Sequence, residues 1–157
     1  MTPAITALKR AKMVFDTLEY QHDPDAPSYG EEAADALGLN PAEVFKTLLV
    51  SLSGHKSTLA VAVVPVTHQL NLKAIARALG AKKAAMADAE LAERTTGYIV
   101  GGISPIGQKK ALPTVIDASA EALERIHVSA GRRGLEVVLA PASLATMTRA
   151  TFFDIRD

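Results

Sequence analysis

Apolar residues recur along the chain in two periods, and the switches between them mark its elements. In MTPAITALKRAKM, Ile5 and Leu8 lie one turn apart, Thr2 stands at an N-cap and Pro3 at the first helical position, so the chain is predicted to open with a helix. VFDTLEYQ, residues 14–21, alternates like a strand, and HDPDAPSYG is a turn-rich connection with two prolines. EEAADALG reads as a short helix closed by Gly38, and NPAEVF as the start of another, with Asn40 as N-cap and Pro41 behind it. KTLLVSLSG and STLAVAVVP are two strands joined near Ser53-Gly54, and the short connection makes them a hairpin. LNLKAIARALG is an amphipathic helix ending at Gly80, and MADAELAERTTG a second, capped by Asp88 and closed by Gly97. PTVIDAS, RIHVSAG and LEVVLAP read as short strands, PASLATMT as a helix starting at Pro141, and TFFDIRD as a closing strand. Strands and helices interspersed with hairpins predict an α+β fold. Its sheet is expected to be mixed and barrel-like, with helices outside.

Composition narrows the class. With 157 residues, 48% of them hydrophobic, the chain suits one domain over 1–157 with a substantial core. It has no cysteine, which excludes disulfides, thiolate zinc sites and a protein thiol nucleophile, and fits a reducing compartment. The most apolar run, VAVVPV, is interrupted by Pro65 and falls well short of the roughly 18 residues of a spanning helix, so a soluble, cytoplasmic protein is expected. Lysine plus arginine equals aspartate plus glutamate at 17 each, so the overall field gives no reason to expect DNA or another polyanion. Three basic pairs remain, Lys82-Lys83, Lys109-Lys110 and Arg132-Arg133. Each alone reads as solvated surface, and an RNA backbone would need them around one cleft.

Two stretches carry candidate chemistry. In VFKTLLVSL, strand alternation puts Lys46 on one face with Leu48, Val50 and Leu52, and Thr47 on the other with Phe45, Leu49 and Ser51. An ammonium pointing toward a core is paired, reaches water along its stem, or awaits a ligand. GYIVGGISPIGQKK, residues 97–110, packs four glycines into eleven residues. It departs from a phosphate-binding loop, because Gln108 follows the second glycine of Gly102-x-x-x-x-Gly107, and from a nucleophile elbow, because Pro105 and Ile106 follow Ser104. It is either a turn between elements or a set of backbone N–H groups aimed at an anion or carbonyl oxygen. His22, His55, His68 and His127 have no metal-ligand spacing, so no metal or other cofactor is assigned, and no local triad signature exists.

FKTLLV, LNLKAIARALG, MADAELAERTTGYIVGGISPIGQKK, TVIDAS, VSAGRRGLEV and FFDIRD, in this order over nearly the whole chain, resemble the bacterial YbaK/EbsC family, and more closely its Cys-tRNA(Pro) deacylase branch. That family is similar to the editing domain inserted in some prolyl-tRNA synthetases. The resemblance implies a freestanding domain of that fold which removes cysteine from tRNA(Pro) in trans, with prolyl-tRNA synthetase as partner supplying tRNA identity. It implies Lys46 as the essential lysine holding phosphate or ribose oxygens of the terminal adenosine, and Gly101 as the catalytic glycine beside it. Tyr20, Thr47, Gly102, Ser129 and, more weakly, Glu136 follow as substrate-binding positions. The substrate's own thiol is the implied nucleophile. Removal of alanine or another small residue from tRNA(Pro), and a non-catalytic module for a nucleotide or RNA end, remain the rival functions.

Overall fold

The structure is a computed structural model, and it describes residues 1–25 and 29–157. Among these residues five α-helices and eight strands follow the order α1 (Pro3–Arg10), β1 (Asp16–Glu19), α2 (Tyr29–Leu37), β2 (Phe45–Ser53), β3 (Leu59–Pro65), α3 (Leu72–Leu79), β4 (Lys83–Met86), α4 (Ala89–Thr96), β5 (Thr114–Asp117), β6 (Ile126–Arg132), β7 (Leu135–Leu139), α5 (Pro141–Thr148) and β8 (Thr151–Phe153). The capping predictions hold where side chains could act. Thr2 Oγ1 accepts from Ile5 N–H at the head of α1 and Asp88 accepts at α4, while at α3 Asn71, which the pattern did not single out, does the same. The turn-rich connection falls partly on residues 26–28, outside the described residues.

The strands form two sheets. β4-β2-β3-β5-β8 is a mixed five-stranded sheet, antiparallel through β4, β2 and β3 and parallel from β3 to β5 to β8. β1-β7-β6 is a separate antiparallel sheet. β3 is buried along its whole length, as a central strand apolar on both faces must be. The main core lies between the sheets and takes Leu8 of α1, Phe45 and Leu49 of β2, Ile126 and Val128 of β6 and Leu144 of α5. A second core under α3 takes the opposite face of the large sheet, with Val50, Ala62, Val64 and Ile75.

Two expectations need correction, and one strand was not foreseen. The sheet does not close into a barrel: among the described residues the two sheets are joined by one parallel bridge, from Val44 just before β2 to His127 of β6. Closure fails because β4 has only four residues and leaves β2 after Val50, while β6 is bent by an irregularity between Ser129 and Arg132. The helix expected from NPAEVF is a 3-10 turn, Pro41–Glu43, with Asn40 capping Ala42 N–H. Val44 is fully buried and already in extended backbone, so burial of a β-branched residue beside the strand wins over helix propagation. KKAAM carries no alternation that marks a strand, yet it pairs with β2 as β4 because the ladder of β2 needs a partner there.

Candidate functional site

The incomplete closure makes the site. Between the end of β4 and the bridge to β6, the two sheets part beside residues 45–49, and a cavity of about 360 Å³ occupies the seam. β2 contributes residues 45–49. The β4 end and α4 contribute Met86, Ala87, Ala89 and Ala92, the glycine-rich loop Val100, Gly101 and Ile103, and the small-sheet region Tyr20, Ser129 and Glu136. The space suits a small ligand group against a mostly apolar floor with a few polar groups converging on it.

Lys46 and Thr47 occupy adjacent positions on opposite faces of β2, as alternation requires. Both faces are packed: Phe45 and Leu49 enter the main core, while Leu48, Val50 and Leu52 pack in the core under α3. The face that alternation assigns to Lys46 is therefore the α3 face and not the larger core. The Lys46 side chain is half-buried and lines the cavity; burial pulls its ammonium below the usual lysine range, opposed by the nearby Glu31 carboxylate of α2. No ion pair or hydrogen bond engages it among the described residues. Thr47 Oγ1 is buried and lacks a hydrogen-bond partner among the described residues, an unsatisfied group on a cavity wall.

Glu136 on β7 pairs in register with Ser129 on β6 and Leu18 on β1, so the carboxyl and the serine share a sheet face. Glu136 is 6% exposed, and burial pushes its carboxyl up to about 8, from an ordinary 4.5. It is accordingly neutral near neutral pH, an O–H donor as well as an acceptor. Between about 4.5 and 8 the unfolded chain has released this proton and the folded chain retains it, so the group lowers stability as pH rises through that window and no further above it. Glu136→Gln removes this dependence. The variant should gain stability over the native chain from pH 5 to pH 8, reaching a few kcal/mol. Paired denaturant melts at several pH values check it, and a difference that does not grow with pH would contradict the buried-acid description. Tyr20, half-buried beside it, has its phenol raised chiefly by burial, and its N–H donates to Gly134 C=O at 2.9 Å.

The glycine-rich stretch is mostly a packing device. Tyr98 is buried, its phenol pushed up to about 12 by burial, and its O–H donates to Ile106 C=O at 2.7 Å; Ser104 Oγ accepts from Ile106 N–H, and Gln108 Nε2 donates to Ser104 C=O. Only Val100, Gly101 and Ile103 face the cavity. Gly101 has φ +94°, open to glycine at no strain. Gly102 is not among the lining residues: a Cβ there would come within 2.8 Å of Arg132 Cα, so this glycine lets the loop lie flat on the β6–β7 hairpin. Val100 is held at both ends, its N–H by Glu93 Oε2 at 2.8 Å and its C=O by Arg133 Nη2 at 2.9 Å.

Arg133 is thus a site residue that sequence reading left in a basic pair. Its Nη1 lies 3.3 Å from His22 Nε2, and His22 Nδ1 lies 2.7 Å from Glu32 Oε1. Arginine only donates, which puts the His22 proton on Nδ1, facing Glu32. This chain ties α2, the connection after β1, the β6–β7 hairpin and the glycine loop together, and no spacing in the sequence announces it. The other basic pairs serve the surface: Lys82 N–H bonds Ser53 C=O at the β2–β3 tip, Lys109 N–H bonds Thr96 C=O beyond α4, and Arg132 pairs with Glu19 at 3.5 Å. No cluster of three metal-ligating side chains occurs among the described residues.

A mostly apolar seam with a few polar groups and a lysine on its wall defines a small-ligand site on an α+β scaffold. The model of the aminoacyl-tRNA editing domain family matches residues 23–147, and the chain belongs to that family. It is 38% identical over 154 residues to the candidate Cys-tRNA(Pro)/Cys-tRNA(Cys) deacylase EbsC of Enterococcus faecalis (strain ATCC 700802 / V583), covering 98% of this chain and 92% of that protein. It is 31% identical over 121 residues to the proline–tRNA ligase of Shouchella clausii (strain KSM-K16), covering 77% of this chain and 20% of the ligase. Among solved structures, a candidate trans-editing enzyme for prolyl tRNA synthetase superposes with a TM-score of 0.84 at 20% identity, over 99% of this chain and 95% of that one, which shows the shared fold.

Proposed function

We propose that this protein is a trans-editing aminoacyl-tRNA deacylase that cleaves the ester of mischarged Cys-tRNA(Pro), and also of Cys-tRNA(Cys), with the substrate thiol as nucleophile. The observation that carries this reading is the cavity itself: it is sized for a small aminoacyl group, bears Lys46 on its wall, and has neither cysteine nor histidine among its lining residues. An aminoacyl ester is already activated, so orienting it and stabilising its developing oxyanion supply much of the acceleration. The cysteine sulfur attacks its own carbonyl carbon, a C–S bond forms as the C–O bond to the ribose breaks, and the thiol proton ends on the departing ribose oxygen. The cyclic thiolactone then opens with water to free cysteine. Lys46 holds the phosphate or ribose oxygens of the terminal adenosine, Gly101 meets the aminoacyl group, and Tyr20, Thr47, Ser129 and Glu136 shape the pocket. Gly102 acts from behind, by placing Gly101.

A chain with 17 basic and 17 acidic side chains holds tRNA weakly, so prolyl-tRNA synthetase supplies tRNA identity as a partner. The cytoplasm, where charged tRNA is used, is the compartment this reading requires; among the described residues no helix is long and apolar enough to cross a membrane. Incubation with separately prepared Cys-, Ala- and Pro-tRNA(Pro) and with Cys-tRNA(Cys) tests it. Release of cysteine from both tRNAs, with alanine and proline retained, is expected. Preferential release of alanine would replace this reading by the alanine-clearing one, and no release from any charged tRNA would leave a binding module.

A further inference from the structure

The backbone of β2 reports which of its groups the seam leaves open. Leu52 N–H bonds Thr58 C=O and Val66 N–H bonds Val44 C=O, so the even-numbered residues direct their main chain to β3. Leu49 C=O accepts from Ala87 N–H and Ser53 C=O from Lys82 N–H, so the odd-numbered residues direct theirs to the β4 side. The β4 register ends at Val50–Met86, and on that same side β2 next meets β6 at the Val44–His127 bridge. Phe45 faces the opening too, but sits against that bridge. Thr47 lies between the two partners, with no strand opposite its N–H and C=O and with its buried Oγ1 unpartnered among the described residues. One residue on the cavity wall therefore offers a donor, an acceptor and a hydroxyl where a sheet would otherwise continue.

We infer that this uncovered edge at Thr47 is the subsite that binds the main chain of the aminoacyl group, which takes the place of the missing strand residue. The inference rests on the proposed deacylase reading. An α-amino acid ester carries an ammonium and a carbonyl on neighbouring carbons. Thr47 C=O accepts from the ammonium, with Oγ1 as a second acceptor, and Thr47 N–H donates to the ester carbonyl oxygen. That donor is worth more as the oxygen becomes an oxyanion. Recognition of this kind reads what all amino acids share. Side-chain discrimination then falls to the apolar floor of Phe45, Leu49, Ala92 and Ile103 and to the thiol chemistry.

An amide-to-ester exchange at residue 47, made by incorporating the α-hydroxy analogue of threonine, removes this N–H and also weakens the Lys46 C=O as an acceptor from β3. With no strand paired at Thr47 among the described residues, the stability cost is confined to the weakened Lys46 acceptor, so the melting temperature should fall only slightly while single-turnover cleavage of Cys-tRNA(Pro) falls tenfold or more. The same exchange at Val50, whose N–H belongs to the ladder with β3, should lower the melting temperature distinctly further. On the substrate side, 3-mercaptopropionyl-tRNA(Pro), which keeps thiol and ester but lacks the ammonium, should lose at least tenfold in acceleration over its own spontaneous cleavage. Unchanged cleavage by the residue-47 ester protein, or a full acceleration of the deamino substrate, overturns the subsite and leaves the deacylase reading standing. A native protein that cleaves no charged tRNA sinks both.

Discussion

Lys46→Ala should lower single-turnover release of cysteine from Cys-tRNA(Pro) at least a hundredfold, on the order of 2.7 kcal/mol of transition-state stabilisation, and leave the fold intact. The two halves of this expectation have separate grounds. Activity falls because Lys46 is the cation on the cavity wall, with no ion pair to another described residue, so its charge is available to substrate oxygens. The fold survives because burial already disfavours that charge, and a half-buried stem contributes little packing. Circular dichroism and a thermal melt accompany the kinetics, and a folded variant with native turnover would remove Lys46 from the mechanism. Lys46→Arg keeps the charge but replaces a compact ammonium by a wider planar fork, so partial recovery is expected.

The second large effect separates substrate-thiol attack from attack by water. Serine differs from cysteine by one atom and fits the same cavity, so tRNA(Pro) charged with serine should bind comparably and be cleaved about a hundredfold more slowly or worse. A thiol of pKa about 8.5 is a few per cent ionised near neutrality, while a hydroxyl is essentially un-ionised. Fit alone would give near-equal rates, since a pocket discriminates poorly between isosteres. Ser129→Ala or Tyr20→Phe should lower both rates together and preserve their ratio, because those residues shape the space without supplying the nucleophile. Equal single-turnover rates from the two charged tRNAs with the native protein would instead call for a general base. Glu136, which could serve as a base only in the fraction that burial leaves ionised, and the histidines would then be the groups to examine.

Much of this was written locally in the chain. Thr2 and Asp88 announce helix starts because a capping side chain acts within three residues, and the β2–β3 hairpin follows from two apolar runs with too short a link for a crossover. Lys46 stood out because a charge interrupts a strand pattern. Its two-sided burial did not, because alternation assigns residues to faces and says nothing of what covers each face.

What tertiary structure alone decided are the relations between distant segments. β4 is a strand because β2 needs a partner, and NPAEVF stops at a single 3-10 turn because Val44 is drawn into the core. Glu136 is an acid held neutral only because β6, β7 and β1 bury it beside the seam, and Arg133 grips Val100 only because Gly102 lets the loop reach the β6–β7 hairpin. By itself the sequence determined the elements, the likeness to the editing family and the lysine with its glycine loop. The open edge at Thr47 required the whole fold, because a missing hydrogen-bond partner is a property of where other strands end.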